Sequence, residues 1–158
     1  MTWRLPRKEY TQQKGEGNRQ AMQGLVAGGS PVGVLAYDES GRAAGWCAVA
    51  PRSDIYYLQT TRTLKTVDDQ PVWSITCFFV AKDQRGLGLS KFLIGAAEEY
   101  VRSQGGTIME AYPLVPQKTS IPDAFAWTGL PSPFEKAGYE AVPTKSESRL
   151  VMRKRVGG

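Results

Sequence analysis

Residues Val72–Gly106 read VWSITCFFVAKDQRGLGLSKFLIGAAEEYVRSQGG, and this stretch decides the fold. Its first part, Val72–Val80, is dense in β-branched and aromatic residues with apolar side chains on both faces, which predicts a central strand. From Leu89 to Val101, apolar residues recur at helical spacing, which predicts a helix with one buried stripe. The stripe consists of Leu89, Phe92, Leu93, Ala96, Ala97, Tyr100 and Val101. The Gly105–Gly106 pair predicts the end of this helix.

Between this strand and this helix lies a glycine-rich turn, Gln84–Ser90. A turn of this kind directs several backbone N–H groups at one point, where the helix dipole adds positive potential. It therefore predicts an anion site, and phosphate is the usual occupant of such sites. The P-loop pattern G-x-x-x-x-G-K-[ST] is absent, and Lys91 stands where the dinucleotide fingerprint needs its third glycine.

The pattern that fits is R-x-x-G-x-[G/A], which resembles the coenzyme A loop of the GNAT acetyltransferase superfamily. Arg85 and Gly88 match this pattern, and Ser90 occupies its last small position. The phrase FEKAGYE at residues 134–140 also resembles this superfamily, in which a short helix, a glycine and an aromatic residue precede the last strands. The resemblance covers residues 15–156, and the first strand and helices are its least typical part.

The remaining segments predict smaller elements around this unit. Before the central unit they are a loop or frayed helix at Lys8–Gly17, a short helix through Ala21–Val26 with Asn18 as its N-cap, hairpin strands at Val32–Tyr37 and Ala43–Val49, and a long loop at Ser53–Gln70. After it come a strand at Thr107–Tyr112, a loop or lid at Gln117–Pro133, a short helix from Phe134, and a last strand at Arg149–Val156. This order predicts an α/β fold of the GNAT type. Its mixed, mostly antiparallel central sheet is flanked by helices in a single domain over residues 1–158.

Composition limits the chemistry that the chain can perform. A chain of 158 residues suits one domain with a sizeable core. The absence of histidine removes the usual general base and most zinc or iron sites, so no metal is expected. Cys47 and Cys77 lie in strand-like apolar runs and are expected to be buried, reduced thiols.

Charge and hydropathy indicate where the protein acts and on what. The net charge of +5 attracts a cofactor with several phosphates, whereas the scattered basic residues do not favour nucleic acid as a partner. No apolar run approaches the ~20 residues of a membrane helix, and the N-terminus lacks the apolar core of a signal peptide. We therefore expect a cytoplasmic protein without a membrane partner.

The resemblance implies acetyl-CoA as the acyl donor. Main-chain groups of Phe78, Phe79 and Val80 would pair with its pantetheine arm, and the glycine turn would hold its pyrophosphate. The implied turn residues are Arg85, Gly86, Leu87, Gly88, Leu89 and Ser90. The implied reaction is direct attack by an amine of a small-molecule acceptor, with a core-strand N–H near Phe79 stabilising the oxyanion. A homodimer, common in the superfamily, is also an expectation.

Proton transfer is where the sequence departs from the superfamily. Many members carry a tyrosine at the position of Phe134, which cannot donate a proton. Ser132, Tyr112 or solvent could protonate the departing thiolate instead. Glu110 is the best carboxylate for the general base, since burial beside the core strand would raise its pKa. The alternative is that Glu110 faces solvent or pairs with a lysine.

Three functions remain open at this point. The first is acetyl-CoA-dependent N-acetylation of a small amine or amino-acid-like acceptor. The second is binding of acyl-CoA without efficient catalysis, which Phe134 and the missing histidine favour. The third is a basic nucleic-acid-associated protein that uses the anion loop on a backbone phosphate. Aromatic residues in the loops at 53–70 and 113–133 indicate a partly apolar acceptor.

Overall fold

The computed structural model describes residues 1–115 and 127–157, and within them six strands form one sheet. The strands are β1 Val34–Tyr37, β2 Ala43–Pro51, β3 Trp73–Val80, β4 Ile108–Ala111, β5 Glu140–Val142 and β6 Val151–Arg155. The helices are α1 Arg7–Gln12, α2 Glu16–Ala27, α3 Tyr56–Thr60, α4 Leu89–Ser103 and α5 Pro131–Lys136, with short 3₁₀ turns at Arg52–Asp54 and Lys82–Gln84. None of the described helices is both long and apolar enough to span a membrane.

The strand order is β1-β2-β3-β4-β6-β5, and among neighbouring strands only β3 and β4 run parallel. Hairpins join antiparallel strands, whereas the parallel pair needs a crossover, which α4 supplies. The predicted mixed, mostly antiparallel sheet with flanking helices is therefore confirmed.

The core lies on both faces of this sheet. On one face α4 packs Leu93, Ala97 and Val101 against apolar residues of the strands. On the other face Trp3, Ile55, Leu58, Leu64 and Tyr112 form a second cluster. The buried stripe of α4 is narrower than predicted, because Phe92 is 64% exposed.

Several local predictions were wrong. Gly15, rather than Asn18, is the N-cap residue of α2, and Asn18 lies buried inside that helix, where its Nδ2 donates to the Tyr10 carbonyl at 2.9 Å. Of the two alternatives for Lys8–Gly17, by contrast, the helix is present as α1 over Arg7–Gln12. The three-residue strand β5 carries no alternating pattern and was not predicted. Most of the predicted loop at 117–133 lies outside the described residues.

Candidate active site

The candidate site begins at an exposed edge of β3. This strand pairs with β4 only from Trp73 to Ile75. Thr76 is an extra residue, because Ala48 of β2 pairs with Cys77 while Val49 pairs with Ile75. Such a bulge bends a strand and ends regular pairing. The last part of β3 therefore diverges from β4 and leaves a backbone edge open to a ligand.

Two N–H groups of β3 point to this open edge. The Ala81 N–H donates to Ala44 on the β2 side, and the Phe78 N–H donates to the Trp127 carbonyl at 2.6 Å on the opposite side. Because backbone donors alternate along a strand, the Val80 N–H faces the open edge with that of Phe78. The Phe79 N–H faces β2 and the Phe78 N–H is taken by the Trp127 carbonyl, so the Val80 N–H is the candidate oxyanion donor near Phe79.

The glycine turn follows directly and has the geometry of an anion cradle. Gly86 and Gly88 adopt φ values of +78° and +80°, which other residues reach only with strain. A Cβ on either would meet nothing within 4 Å, so the turn faces open space. Gly88 is the N-cap residue of α4, whose free N–H groups and dipole favour an anion there.

The open edge and the glycine turn border one cavity of about 700 Å³. This volume lies within the range of pockets for small ligands. Its wall includes the predicted cofactor residues Phe78, Phe79, Val80, Arg85, Gly86, Gly88, Leu89 and Ser90. Leu87 does not line the cavity and is 72% exposed on the turn.

The charged residues among the described wall residues are Arg85, Lys91 and Lys136. Arg85 also ties the turn to β3, since its Nε donates to the Val80 carbonyl at 3.2 Å. The cavity thus combines an open glycine cradle, a helix N-terminus and three cations, which together fit the phosphates of coenzyme A. Its apolar part beside Phe78 and Phe134 fits an extended, uncharged arm.

A second cavity of about 380 Å³ lies beside the first. Its described wall consists of Met1, Thr2, Trp3, Arg4, Tyr10, Trp46, Ala48, Thr76, Cys77 and Trp127. Trp127 lines both cavities and is therefore a shared wall. Thr76 and Cys77 bring this cavity to the bulge of β3, next to the open edge.

Comparison with known proteins assigns this chain to a family. Residues 1–122 match the model of the acetyltransferase (GNAT) family. The chain belongs to the GNAT acetyltransferase family. A search of curated protein sequences found no significant match.

Solved structures of GNAT proteins share the fold. Ribosomal-protein-alanine N-acetyltransferase from Brucella melitensis has a TM-score of 0.57 at 16% identity, over 89% of this chain and 77% of that one. Arylalkylamine N-acetyltransferase 2 from Aedes aegypti has a TM-score of 0.57 at 15% identity, over 89% of this chain and 80% of that one. A GNAT acetyltransferase from Listeria monocytogenes has a TM-score of 0.55 at 16% identity, over 77% of this chain. The alignment spans 62% of the Listeria protein, less than two thirds of its length.

Of the three predicted catalytic residues in this GNAT chain, only Ser132 lines the cofactor cavity. It lies in the first turn of α5 with its side chain exposed. Phe134 lies on the same helix and is fully buried, with its ring 5.8 Å from that of Phe78 and 5.4 Å from that of Tyr139. Phe134 therefore packs between the cavity and the core.

Glu110 and Tyr112 line neither cavity. Glu110 is 1% exposed, and its carboxylate lies 2.8 Å from Arg153 and 3.6 Å from Arg52. The Tyr112 hydroxyl donates to Glu110 at 2.9 Å and accepts from Arg52 at 2.7 Å. Glu110 is therefore buried and paired with two arginines, rather than with the lysine that the alternative named.

Burial determines the proton affinity of two further groups near the site. It raises the pKa of the Tyr112 phenol, and the nearby Glu110 carboxylate raises it further. It also raises the pKa of the Cys77 thiol. Both groups therefore stay protonated at neutral pH, and neither is a ready base.

The sequence did not identify Lys136 or Trp127 as wall residues. Lys136 lies inside the quoted phrase FEKAGYE, so its proximity to a recognised motif was a usable signal. Trp127 lies in the loop whose aromatic residues indicated a partly apolar acceptor, but its exact place depends on a hydrogen bond to Phe78, 49 residues earlier in the chain.

Proposed function

We propose that the protein is an acetyl-CoA-dependent N-acetyltransferase that moves an acetyl group to a primary amine of a small-molecule acceptor. The observation that carries this proposal is the junction of an open β3 edge with a glycine cradle at the start of α4. A phosphate site and a free strand edge on one cavity suit a ligand that has both phosphates and an amide-bearing arm. Family membership supports an acyl-CoA donor, and the cavity is large enough to hold part of one.

Each part of the wall has a distinct proposed role. Acetyl-CoA, when bound, supplies the acetyl group as an activated thioester. N–H groups of the glycine turn bind its phosphates, and Arg85, Lys91 and Lys136 neutralise their charge. Main-chain groups at the strand edge bind the arm. The Val80 N–H polarises the acyl carbonyl and stabilises the oxyanion that forms on direct attack by the amine, because the Phe78 N–H already donates to the Trp127 carbonyl.

We propose Ser132 as the group that relays a proton from solvent to the departing thiolate, directly or through one water, while the proton that the attacking amine loses passes to solvent. Its hydroxyl is on the cavity wall, whereas Phe134, at the position of the usual tyrosine, offers no proton. The buried ion pairs of Glu110 and the hydrogen bonds of Tyr112 favour a positioning role for both.

A second candidate function is acyl-CoA binding without efficient transfer. The buried Phe134 favours it, because that side chain gives the cavity packing surface in place of a proton donor. Release of thiol from acetyl-CoA in an amine screen separates the two functions. Steady release with any amine supports the enzyme, whereas tight acetyl-CoA binding without release supports the binding protein.

The cofactor site is tested by calorimetric titration of acetyl-CoA into the native chain and a Ser90→Glu variant. Position 90 is in the first turn of α4, where a carboxylate stabilises the helix through its dipole yet repels phosphate. We therefore expect a folded variant whose acetyl-CoA affinity falls by about a hundredfold, because a negative charge close to the phosphate repels it.

A Gln23→Glu variant provides the control matched in charge. Gln23 is exposed on α2, away from the residues that line the cavity, so its variant should bind acetyl-CoA like the native chain. Equal acetyl-CoA affinity in all three chains would show that the glycine turn does not bind the phosphates. No binding by the native chain would overturn the proposed function.

A further inference from the structure

We propose that the second cavity binds the acceptor and selects an aromatic amine that also carries a carboxylate, as an aromatic amino acid does. This inference rests on the proposed function for the reaction, but it concerns the binding of the acceptor alone. The observation behind it is a small cavity where aromatic walls and the half-buried guanidinium of Arg4 converge beside the bulge of β3.

The aromatic wall comes from four separate parts of the chain. Trp3, Tyr10, Trp46 and Trp127 all line the cavity. Trp3 is 8% exposed and meets Trp127 edge to face, with ring centroids 5.5 Å apart. Flat, rigid side chains of this kind bind another ring by stacking or edge contact. A volume of about 380 Å³ suits a single phenyl or indole ring with a short side chain.

Other residues hold these walls in place from behind. The Tyr57 ring lies 4.7 Å from that of Trp3, and the Tyr112 ring lies 5.7 Å from it. The Arg149 guanidinium lies over both Trp3 and Trp127, at 5.4 and 5.6 Å from their ring centroids. The wall is therefore largely formed before a ligand arrives, which lowers the entropic cost of binding.

Arg4 supplies the polar contact of this cavity. Its Nη2 donates to the Pro31 carbonyl at 3.0 Å, which fixes the guanidinium at the wall. Burial lowers the pKa of Arg4, because the charged form loses hydration there. A ligand carboxylate restores that lost interaction through charge-assisted hydrogen bonds, and guanidinium binds carboxylate with matched geometry.

The cavity also has the right place for an acceptor. Thr76 and Cys77 line it at the bulge, and Val80, whose N–H faces the open edge, lies three residues after Cys77 on the same strand. Trp127 lies between this cavity and the cofactor cavity. An amine held by the second cavity is therefore near the position proposed for the acyl carbonyl.

The test uses two ligand pairs that differ only by a carboxylate: L-tryptophan with tryptamine, and L-phenylalanine with phenethylamine. Each is titrated calorimetrically into the full chain, alone and with saturating coenzyme A, which cannot donate an acetyl group. We expect the carboxylate form of at least one pair to bind about tenfold more tightly, which corresponds to one charge-assisted contact. L-alanine, which lacks the ring, should bind at least tenfold more weakly than that ligand.

Two variants assign the preference to Arg4. Arg4→Gln should abolish the difference within the pair, whereas Lys8→Gln, which removes the same charge from an exposed site on α1, should keep it. Equal affinities within both pairs in the native chain would overturn the carboxylate preference. No binding of any aromatic ligand, with or without coenzyme A, would overturn the inference as a whole.

A measurement on the unmodified chain does not depend on how the variants fold. Cys77 lines the second cavity and is partly exposed, whereas Cys47 is fully buried. A bound aromatic ligand should slow maleimide labelling of Cys77 several-fold at saturation. Labelling that is unchanged by a ligand shown to bind would locate that ligand elsewhere and overturn the inference.

These outcomes remain distinguishable from failure of the proposed function. If the chain binds acetyl-CoA but no aromatic ligand, the second cavity is not the acceptor site, and the acetyltransferase proposal is unaffected. If the chain binds an aromatic carboxylate but not acetyl-CoA, the second cavity is supported as the binding site of that ligand, and the proposed transfer reaction is rejected.

Discussion

At the scale of single residues, Glu110 shows how a candidate base can be a structural ion. Its carboxylate, on β4, pairs with Arg153 on β6 and with Arg52 in the 3₁₀ turn after β2. It also accepts a hydrogen bond from the Tyr112 hydroxyl. Arg153 also binds Asp68 at 2.5 Å, so the cluster extends to the loop before β3. Two guanidinium groups thus compensate the charge of this buried carboxylate at close range.

Glu110→Gln tests this interpretation. Loss of the charge leaves two cations without their buried partner, so the free energy of unfolding should fall by about 3 kcal/mol, measured by urea denaturation. Glu99→Gln, on the exposed face of α4, should change it by less than about 0.5 kcal/mol. The folded Glu110→Gln fraction should retain the native pH dependence of kcat. Loss of the acidic limb of that profile with unchanged stability would make Glu110 the general base after all.

At the scale of elements, the passage from α4 to β4 depends on close packing at Gly106. A Cβ there would contact the Val101 side chain and would come within 2.7 Å of the Trp73 ring. The backbone of Gly106 has an ordinary φ, so its constraint is steric and concerns the crossover between the parallel strands.

Gly106→Ala should therefore lower the free energy of unfolding by about 1–3 kcal/mol through overpacking. Gly95→Ala makes the same chemical change in the middle of α4, where a Cβ meets nothing within 4 Å. It should stabilise the protein by about 0.5–1 kcal/mol, because alanine favours the helix. Urea denaturation of both variants measures the contrast, and equal effects would mean that the close approach at Gly106 is not a constraint.

At the scale of the whole molecule, the net charge of +5 and the cationic wall act in the same direction on a polyphosphate ligand. The affinity for acetyl-CoA should fall by about tenfold between about 0.05 M and about 0.5 M KCl, since salt screens such attraction. Binding of S-acetylpantetheine, which has no phosphate, should not change. The salt dependence should weaken in Lys136→Gln and stay native in Lys14→Gln, an exposed site on no cavity wall. Calorimetry at both salt concentrations measures the two ligands with the native chain and acetyl-CoA with the two variants. Salt-independent binding of acetyl-CoA to the native chain would contradict the phosphate assignment.

The sequence predicted what depends on local patterns. The apolar run of β3, the helical spacing of α4 and the glycine turn between them define their own structure. The ion cluster around Glu110 could not be predicted, because it joins Arg52 and Arg153, which meet only after the sheet has assembled. The Trp127 carbonyl on the β3 edge likewise depends on a contact between distant segments, and the short β5 depends on pairing with β6.

Thr76, the extra residue of β3, also constrains how this chain can change by insertion or deletion. Side chains alternate between faces, and the bulge absorbs Thr76, so that Ile75, Phe78 and Val80 all face the core beneath α4. Loss of Thr76 would place Cys77 directly after Ile75 and would join the two registers with β2 in one regular ladder. Phe78 and Val80 would keep their face, but the bulge that ends regular pairing would be lost. The chain can therefore lose this position without inverting its core face, at the expense of the bend that opens the edge of β3.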